Sequence, residues 1–220
     1  MNDTPNTSGI CTVWYINVYQ TVHYAMAMAN SRRNELLDAT LAHVAENGLA
    51  DFTLRSVAAE IGTSHRMLIH HFGSKAGLER AIVERTTEIM TTPLADTEQA
   101  APEIGSRELI ESTWASLSNP AAIPLMRLYF DFSSRATHGD ELARQVVETI
   151  RDHWARTALA ARSDEAEAEV LLGAAVTSAF LKGLLLDELS GATFADTSAA
   201  VERFIQLVES YRATVQSALP

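Results

Sequence analysis

The chain has 220 residues, 47% of them apolar and 20% charged, which suits a globular protein of one large or two small domains with an ample buried core. A formal net charge of −11 speaks against indiscriminate nucleic-acid binding. The one cysteine, Cys11, excludes an internal disulfide and has no companions for a zinc or redox motif, so a reducing cytoplasm is the expected location.

Residues 1–30 form an N-terminal extension in which Asp3 is the one side chain charged at pH 7, with His taken as neutral, and Trp14, Tyr15, Tyr19 and Tyr24 follow no clean period. The start lacks the positive charge of a signal peptide, and Asn17, Gln20 and His23 interrupt any membrane span. A floppy segment, a helix lying on the body, or a start codon chosen upstream of Met26 or Met28 are the readings left open. Helical periodicity begins at Ser31, with Leu37, Leu41 and Val44 on one face and Gly48 as the stop.

The stretch FTLRSVAAEIGTSHRMLIHHF, residues 52–72, reads as two short helices joined by a tight turn. Thr53 is a helix N-cap, Val57 and Ile61 make an apolar stripe, and Arg55, Ser56 and Glu60 fall on the wet side. Gly62 occupies the position where a helix ends left-handed, and Ser64 caps the next helix, whose Leu68 and Phe72 point inward with Ala58 and Ile61. This is a helix-turn-helix, a unit that places its second helix in the DNA major groove. By subtraction, Ser64, His65, Arg66, Met67 and Ile69 face outward, with His70 at the far end. Arg66 suits the major-groove edge of guanine, and His65 can reach a base or a phosphate. Spacing alone also allows an ordinary helix pair with Arg66 and His65 as solvated surface.

The run on into FGSKAGLERAIVER resembles the DNA-binding domain of the tetracycline-repressor (TetR) family. Phe52, Thr53, Ala58, Gly62, Ser64, Leu68, Phe72, Ser74, Lys75 and Leu78 match its pattern in order. The resemblance implies DNA contacts from Thr53, from Ser64 through Ile69, and from Lys75; Thr63, in the turn, and His70 are counted with them. It also implies that Arg32 and Arg33 lie near phosphate, although two solvated arginines are the plainer reading. The chain departs from the family at Arg66, where glycine is frequent, and at Ile69, in place of a common tyrosine. Residues 31–90 carry seven Lys or Arg against eight Asp or Glu, so ten of the eleven net negative charges lie outside this head. A near-neutral head with its cations on one side can still bind phosphates.

Ser74 caps a fourth helix with Leu78, Ile82, Val83 and Ile89 inward, the expected mechanical link out of the head. The DNA-binding domain is thus placed at residues 31–91. Thr91 to Ser106, broken by Pro93 and Pro102, is expected to be a linker. Beyond it, residues 106–117, 120–137, 139–162, 164–189 and 196–217 read as helices, so residues 92–220 form a helical body, which the resemblance implies is an effector-binding and dimerisation domain. The fold class is all-α.

Residues 169–189 are apolar almost all round, but Glu169, Lys182, Asp187 and Glu188 argue against a membrane span, and burial against a second subunit is expected instead. The final helix repeats apolar residues at Val201, Phe204, Ile205, Val208, Tyr211 and Val215. Two such helices from each chain make a four-helix interface, the place where the family dimerises, with Leu181, Leu184, Leu185, Phe204, Val208 and Tyr211 as the expected contacts. Trp114, Met126, Tyr129, Phe130, Trp154 and Phe180 form an aromatic and sulfur-rich group suited to a flat or greasy ligand, although core packing explains any one of them. The resemblance implies an inducer pocket in this body.

An enzyme would need a nucleophile, a metal set or paired carboxylates. His70 and His71 are adjacent, which aims them about 100 degrees apart on a helix, unlike a zinc pair. No catalytic residue, metal site or cofactor is assigned. The expectation is a homodimeric regulator, a repressor released from a palindromic double-stranded operator by a small lipophilic or aromatic effector, with no membrane partner. A helical interaction scaffold, or an activator without an effector, is the alternative.

Overall fold

The computed structural model describes residues 32–49, 52–100, 106–162 and 166–218, so Cys11 and the readings made for residues 1–30 lie outside it. The described residues form helices α1 (Arg32–Asn47), α2 (Leu54–Glu60), α3 (His65–Phe72), α4 (Lys75–Ala100), α5 (Ser106–Leu117), α6 (Ile123–Thr137), α7 (Glu141–Ala161), α8 (Glu167–Ser190) and α9 (Thr197–Ala218). No strand occurs among them. Contacts divide the chain into two compact units. The first joins Pro120–His153 to the chain up to Asp96, and the second joins Thr97–Asn119 to Trp154–Pro220.

In the first unit α1 lies against α2, α3 and α6, and α2 lies against α3. Leu37, Leu41 and Val44 of α1 are buried, as are Val57, Leu68, Leu78, Ile82 and Phe132. Each fully buried aliphatic side chain of this kind is worth about 1.5–3 kcal/mol. Asp131 of α6 accepts a hydrogen bond at 3.2 Å from the backbone N–H of Leu49, in the loop that leaves α1. Arg85 of α4 reaches back to Asp38 of α1 at 3.1 Å and to Glu88 at 2.8 Å. Burial opposes the Arg85 charge, but Glu88 and Asp38 outweigh it and raise its pKa. Asp140 caps α7, accepting from the Ala143 N–H at 3.0 Å, and pairs with Arg135 at 2.6 Å. The Ala143 bond chiefly, and Arg135 with it, hold the Asp140 carboxyl below its ordinary range.

Helix α4 runs on to Ala100 through most of the stretch expected to be a linker. Pro93 has no N–H to give to the carbonyl four residues back, yet the helix continues past it, so proline marks a lost hydrogen bond here rather than an end. Pro102 lies outside the described residues.

In the second unit α5, α8 and α9 pack together around Ile110, Leu181, Val201, Phe204 and Ile205. Phe180 of α8 stacks on Phe204 of α9 with ring centroids 4.2 Å apart and planes 12° apart. At the rim of α5 and α9, Arg107 bonds Glu202 at 2.7 Å, Glu209 at 2.9 Å and Glu111 at 3.2 Å. These groups are solvent-exposed, so the network holds register more than it adds stability. Helix α8 is long and apolar enough to cross a membrane by length and composition, with a mean hydropathy of 1.6 over its most apolar window.

One glycine is required by close approach. A Cβ on Gly77 would stand 2.0 Å from the carbonyl oxygen of Phe72, so α4 can start against the end of α3 only without a side chain there. Gly77→Ala is expected to destabilise the protein by about 1–3 kcal/mol, through displacement of α3 or α4. A urea midpoint unchanged from wild type would show that the contact relaxes freely.

Candidate nucleic-acid interface

Local chemistry builds this site. The Thr53 hydroxyl accepts from the Ser56 N–H at 3.1 Å, and the Ser56 hydroxyl accepts from the Thr53 N–H at 3.2 Å, a reciprocal capping box that starts α2. The turn follows at Gly62, whose φ of +68° is easy for glycine and strained for other residues. The Thr63 N–H then bonds the Ala58 carbonyl at 2.8 Å, tying the turn back onto α2. Ser64 caps α3 by accepting from the Met67 N–H at 3.2 Å. Ser74 repeats the device for α4, accepting from Gly77 N–H at 3.0 Å.

Ala58, Leu68 and Phe72 are buried, while Ile61, read as inward, is half-buried at the C-cap of α2. On the other side of α3, Ser64, His65, Arg66 and His70 are exposed, and Met67 and Ile69 are half-buried at the edges. Thr53 and Lys75 are exposed too, and Thr63 is half-buried. The rings of His70 and His71 meet edge-on, with centroids 5.0 Å and planes 74° apart, His70 exposed and His71 half-buried. Among the described residues no three His, Cys, Asp or Glu side chains gather as a metal set would. Arg66 makes no ion pair among the described residues, which leaves its guanidinium open to an external acceptor.

Two cations rest on aromatic faces. The Arg33 guanidinium lies 5.0 Å from the centroid of the Phe72 ring, and the Lys75 ammonium lies 5.5 Å from that of Phe52. Arg32, the neighbour of Arg33, instead pairs with Glu35 at 2.9 Å. Sequence reasoning treated the two arginines as equivalent. The Glu35 three residues after Arg32 was the available signal.

A family model of bacterial regulatory proteins of the tetR family matches residues 36–82, from α1 into α4. The HTH-type transcriptional regulator BetI of Burkholderia mallei (strain NCTC 10229) is 31% identical over 173 residues, which cover 74% of this chain and 87% of that protein. The chain belongs to the TetR family. Like its relatives it is a DNA-binding transcriptional regulator, not an enzyme. The multidrug binding protein EbrR complexed with imidazole shares the fold with a TM-score of 0.59 and 24% identity, over 81% of this chain and 96% of that one. A TetR-family regulator from Rhodococcus sp. does so with a TM-score of 0.60 and 17% identity, over 81% and 97%.

The residues expected at the other sites of this regulator are distributed as follows. Leu181, Leu185 and Phe204, expected at a dimer interface, are 1%, 0% and 8% exposed and belong to the chain's own core. Leu184 and Val208 pack partly buried against the same cluster, and Tyr211 is 61% exposed. The exposed apolar side of α8 is a different stripe: Leu172, Val176, Ala179, Gly183 and Leu186, spaced alternately by four and three residues. Of the aromatic group, Trp114 and Phe180 pack partly buried on the core of the second unit, where the half-buried Trp154 also belongs. Met126 and Tyr129 are buried in the first unit, where Tyr129 meets Phe130 edge-on at 5.7 Å.

Arg66→Ala is expected to cost about 1–3 kcal/mol at one position of each operator half-site and to relax base preference there, while Lys75→Ala weakens binding to all duplexes alike. Titration of specific and random duplexes separates them. Equal losses on both for Arg66→Ala would remove its assignment to base reading.

Proposed function

We propose that this regulator is a cytoplasmic homodimeric repressor that reads a palindromic operator through Thr53, Thr63, Ser64, His65, Arg66, Met67, Ile69, His70 and Lys75, and leaves it when a small lipophilic or aromatic effector binds the helical body. The observation that carries the DNA reading is the capped α3 with its apolar stripe buried and Arg66, His65 and Ser64 exposed on the opposite side. A twofold dimer presents two such helices to two half-sites. Selection of duplexes from a randomised pool, followed by footprinting, tests the reading. Recovery of a palindrome supports it, and recovery of none sinks it.

The dimer seam is proposed on the exposed stripe of α8, from Leu172 to Leu186, with Leu207 and Tyr211 of α9, rather than on residues that already fill the chain's own core. Alternating spacings of four and three keep a stripe facing one partner helix. A second copy of the chain covers this apolar surface without a membrane. Val176→Glu is therefore expected to yield a folded monomer, because Val176 is 52% exposed, whereas Leu185→Glu, at a fully buried position, unfolds the chain. Sedimentation with circular dichroism distinguishes these outcomes; a Val176→Glu dimer would place the seam elsewhere.

For the effector, the proposed recognition groups offer aromatic faces and a polarizable sulfur in two separate sets, Trp114, Trp154 and Phe180 within the second unit and Met126, Tyr129 and Phe130 within the first. Release follows if the effector favours a conformation in which the DNA heads no longer match the operator spacing, by its differential affinity for the two states. Helix α6 is the proposed transmitter, since Asp131 grips the loop after α1 and Arg135 lies 4.0 Å from Glu79 of α4. Asp131→Ala is expected to keep operator binding and effector binding but to weaken release. Normal release by effector in this variant would move the coupling to other contacts.

A further inference from the structure

One carboxylate oxygen in the first unit is shared by cations from two helices. Oε1 of Glu79, one turn into α4, lies 3.8 Å from the Lys75 ammonium at the start of that helix and 4.0 Å from the Arg135 guanidinium of α6. A direct charge-assisted hydrogen bond spans about 2.7–2.9 Å, so Glu79 is held closely by neither. Arg135 has a firmer partner in Asp140 at 2.6 Å, and Asp140 in turn caps α7 by accepting from the Ala143 N–H at 3.0 Å. The charged groups thus form a chain of neighbours from the start of α7 through α6 to the start of α4, all within one compact unit. The side chains of Glu79, Arg135 and Asp140 are 22%, 32% and 28% exposed, so solvent screens them less than it does Lys75 at 52%.

The place of Lys75 makes its pairing weak. It is the first residue of α4, at the positive end of the helix dipole, where a cation is disfavoured, and the first turn carries no acidic side chain to offset it. Glu79 lies four residues toward the C-terminus, the less favourable order for a pair at that spacing. Such a partner is easily exchanged. When Lys75 turns to a phosphate it must leave Glu79, whose carboxylate is then left to Arg135. When Arg135 is drawn away, the carboxylate is left to Lys75.

We propose that Glu79 is a positioning residue that competes with DNA for Lys75, and that Arg135, by drawing on the same carboxylate, sets how freely Lys75 reaches the duplex. A movement of α6 then acts directly on a DNA-contacting group. The assignment rests on the DNA-binding reading and deepens it with a residue that opposes binding.

The test uses the full-length protein and the duplex that wild type selects from a randomised pool, with affinity followed by fluorescence anisotropy at fixed salt and the fold of each variant checked by its melting temperature. Exposed pairs of this kind shift an equilibrium by up to about fivefold, so Glu79→Gln is expected to tighten binding about two- to fivefold at each head. In a Lys75→Ala background the same substitution changes affinity little, because no ammonium is left to release. A gain as large there as in wild type would overturn the proposal, by showing a general effect of the lost negative charge. Arg135→Gln is expected to weaken binding only while Glu79 is present, and equal losses in wild-type and Glu79→Gln backgrounds would break the link between the two residues. Asp140→Ser, which keeps a capping oxygen and releases Arg135 to Glu79, is expected to tighten binding, the opposite sign. It decides the link if Arg135→Gln fails to fold, and unchanged or looser binding in Asp140→Ser would overturn it. A wild-type protein that selects no duplex would instead sink the DNA-binding reading.

Discussion

A helix of eight residues does not hold itself together in water, because nucleating its first turn costs more than so few hydrogen bonds return. The recognition helix α3 therefore exists only as part of its surroundings. Leu68, with no exposed surface, and Phe72 anchor it from beneath, Ser64 closes its first turn, and Gly77 lets α4 abut its last carbonyl. Every exposed group on its outer face, Arg66 foremost, takes its direction from that burial. A loss of packing below the helix is thus a loss of DNA geometry above it.

The proposed coupling of sensing to binding depends on packing of the same kind. Helix α6 follows the head by more than twenty residues in the chain, yet it packs on α1, and its Asp131 carboxylate accepts a hydrogen bond from the loop after α1. Such a contact suits the proposed transmission, because both partners are buried or part-buried and close-packed interiors shift between discrete arrangements rather than deform smoothly. The acidic balance of the chain serves the same division of labour. With ten of eleven net negative charges outside residues 31–90, the body gains little from DNA and the head keeps its exposed cations for it.

Much of the head was legible from sequence because its rules are short-range. Thr53, Gly62, Ser64 and Ser74 each act within four residues of themselves, through caps and a left-handed turn, and Leu68 and Phe72 repeat at helical spacing along α3. Pro93 shows the limit of such rules: it removes one donor, but whether a helix ends there depends on the rest of the helix. The surroundings of Arg32 and Arg33 show another. Glu35 is near enough in sequence to foresee, whereas the Phe72 ring reaches Arg33 only once α3 has packed on α1.

Helix α8 marks the boundary between what the sequence determined and what needed tertiary structure. Composition alone established a long apolar helix that must be covered on more than one side. It could not say which stripe faces the chain's own core, since Leu181 and Leu185 are chemically the same as Leu172 and Leu186 and each pair lies on a stripe of helical period. The packing of Phe180 on Phe204 and of Leu181 against Ile110 and Ile205 chose one stripe for the interior and left the other in the open. Local chemistry decides where helices begin and which family pattern they carry. Which of two equivalent faces is buried is decided only by the contacts between helices far apart in the chain.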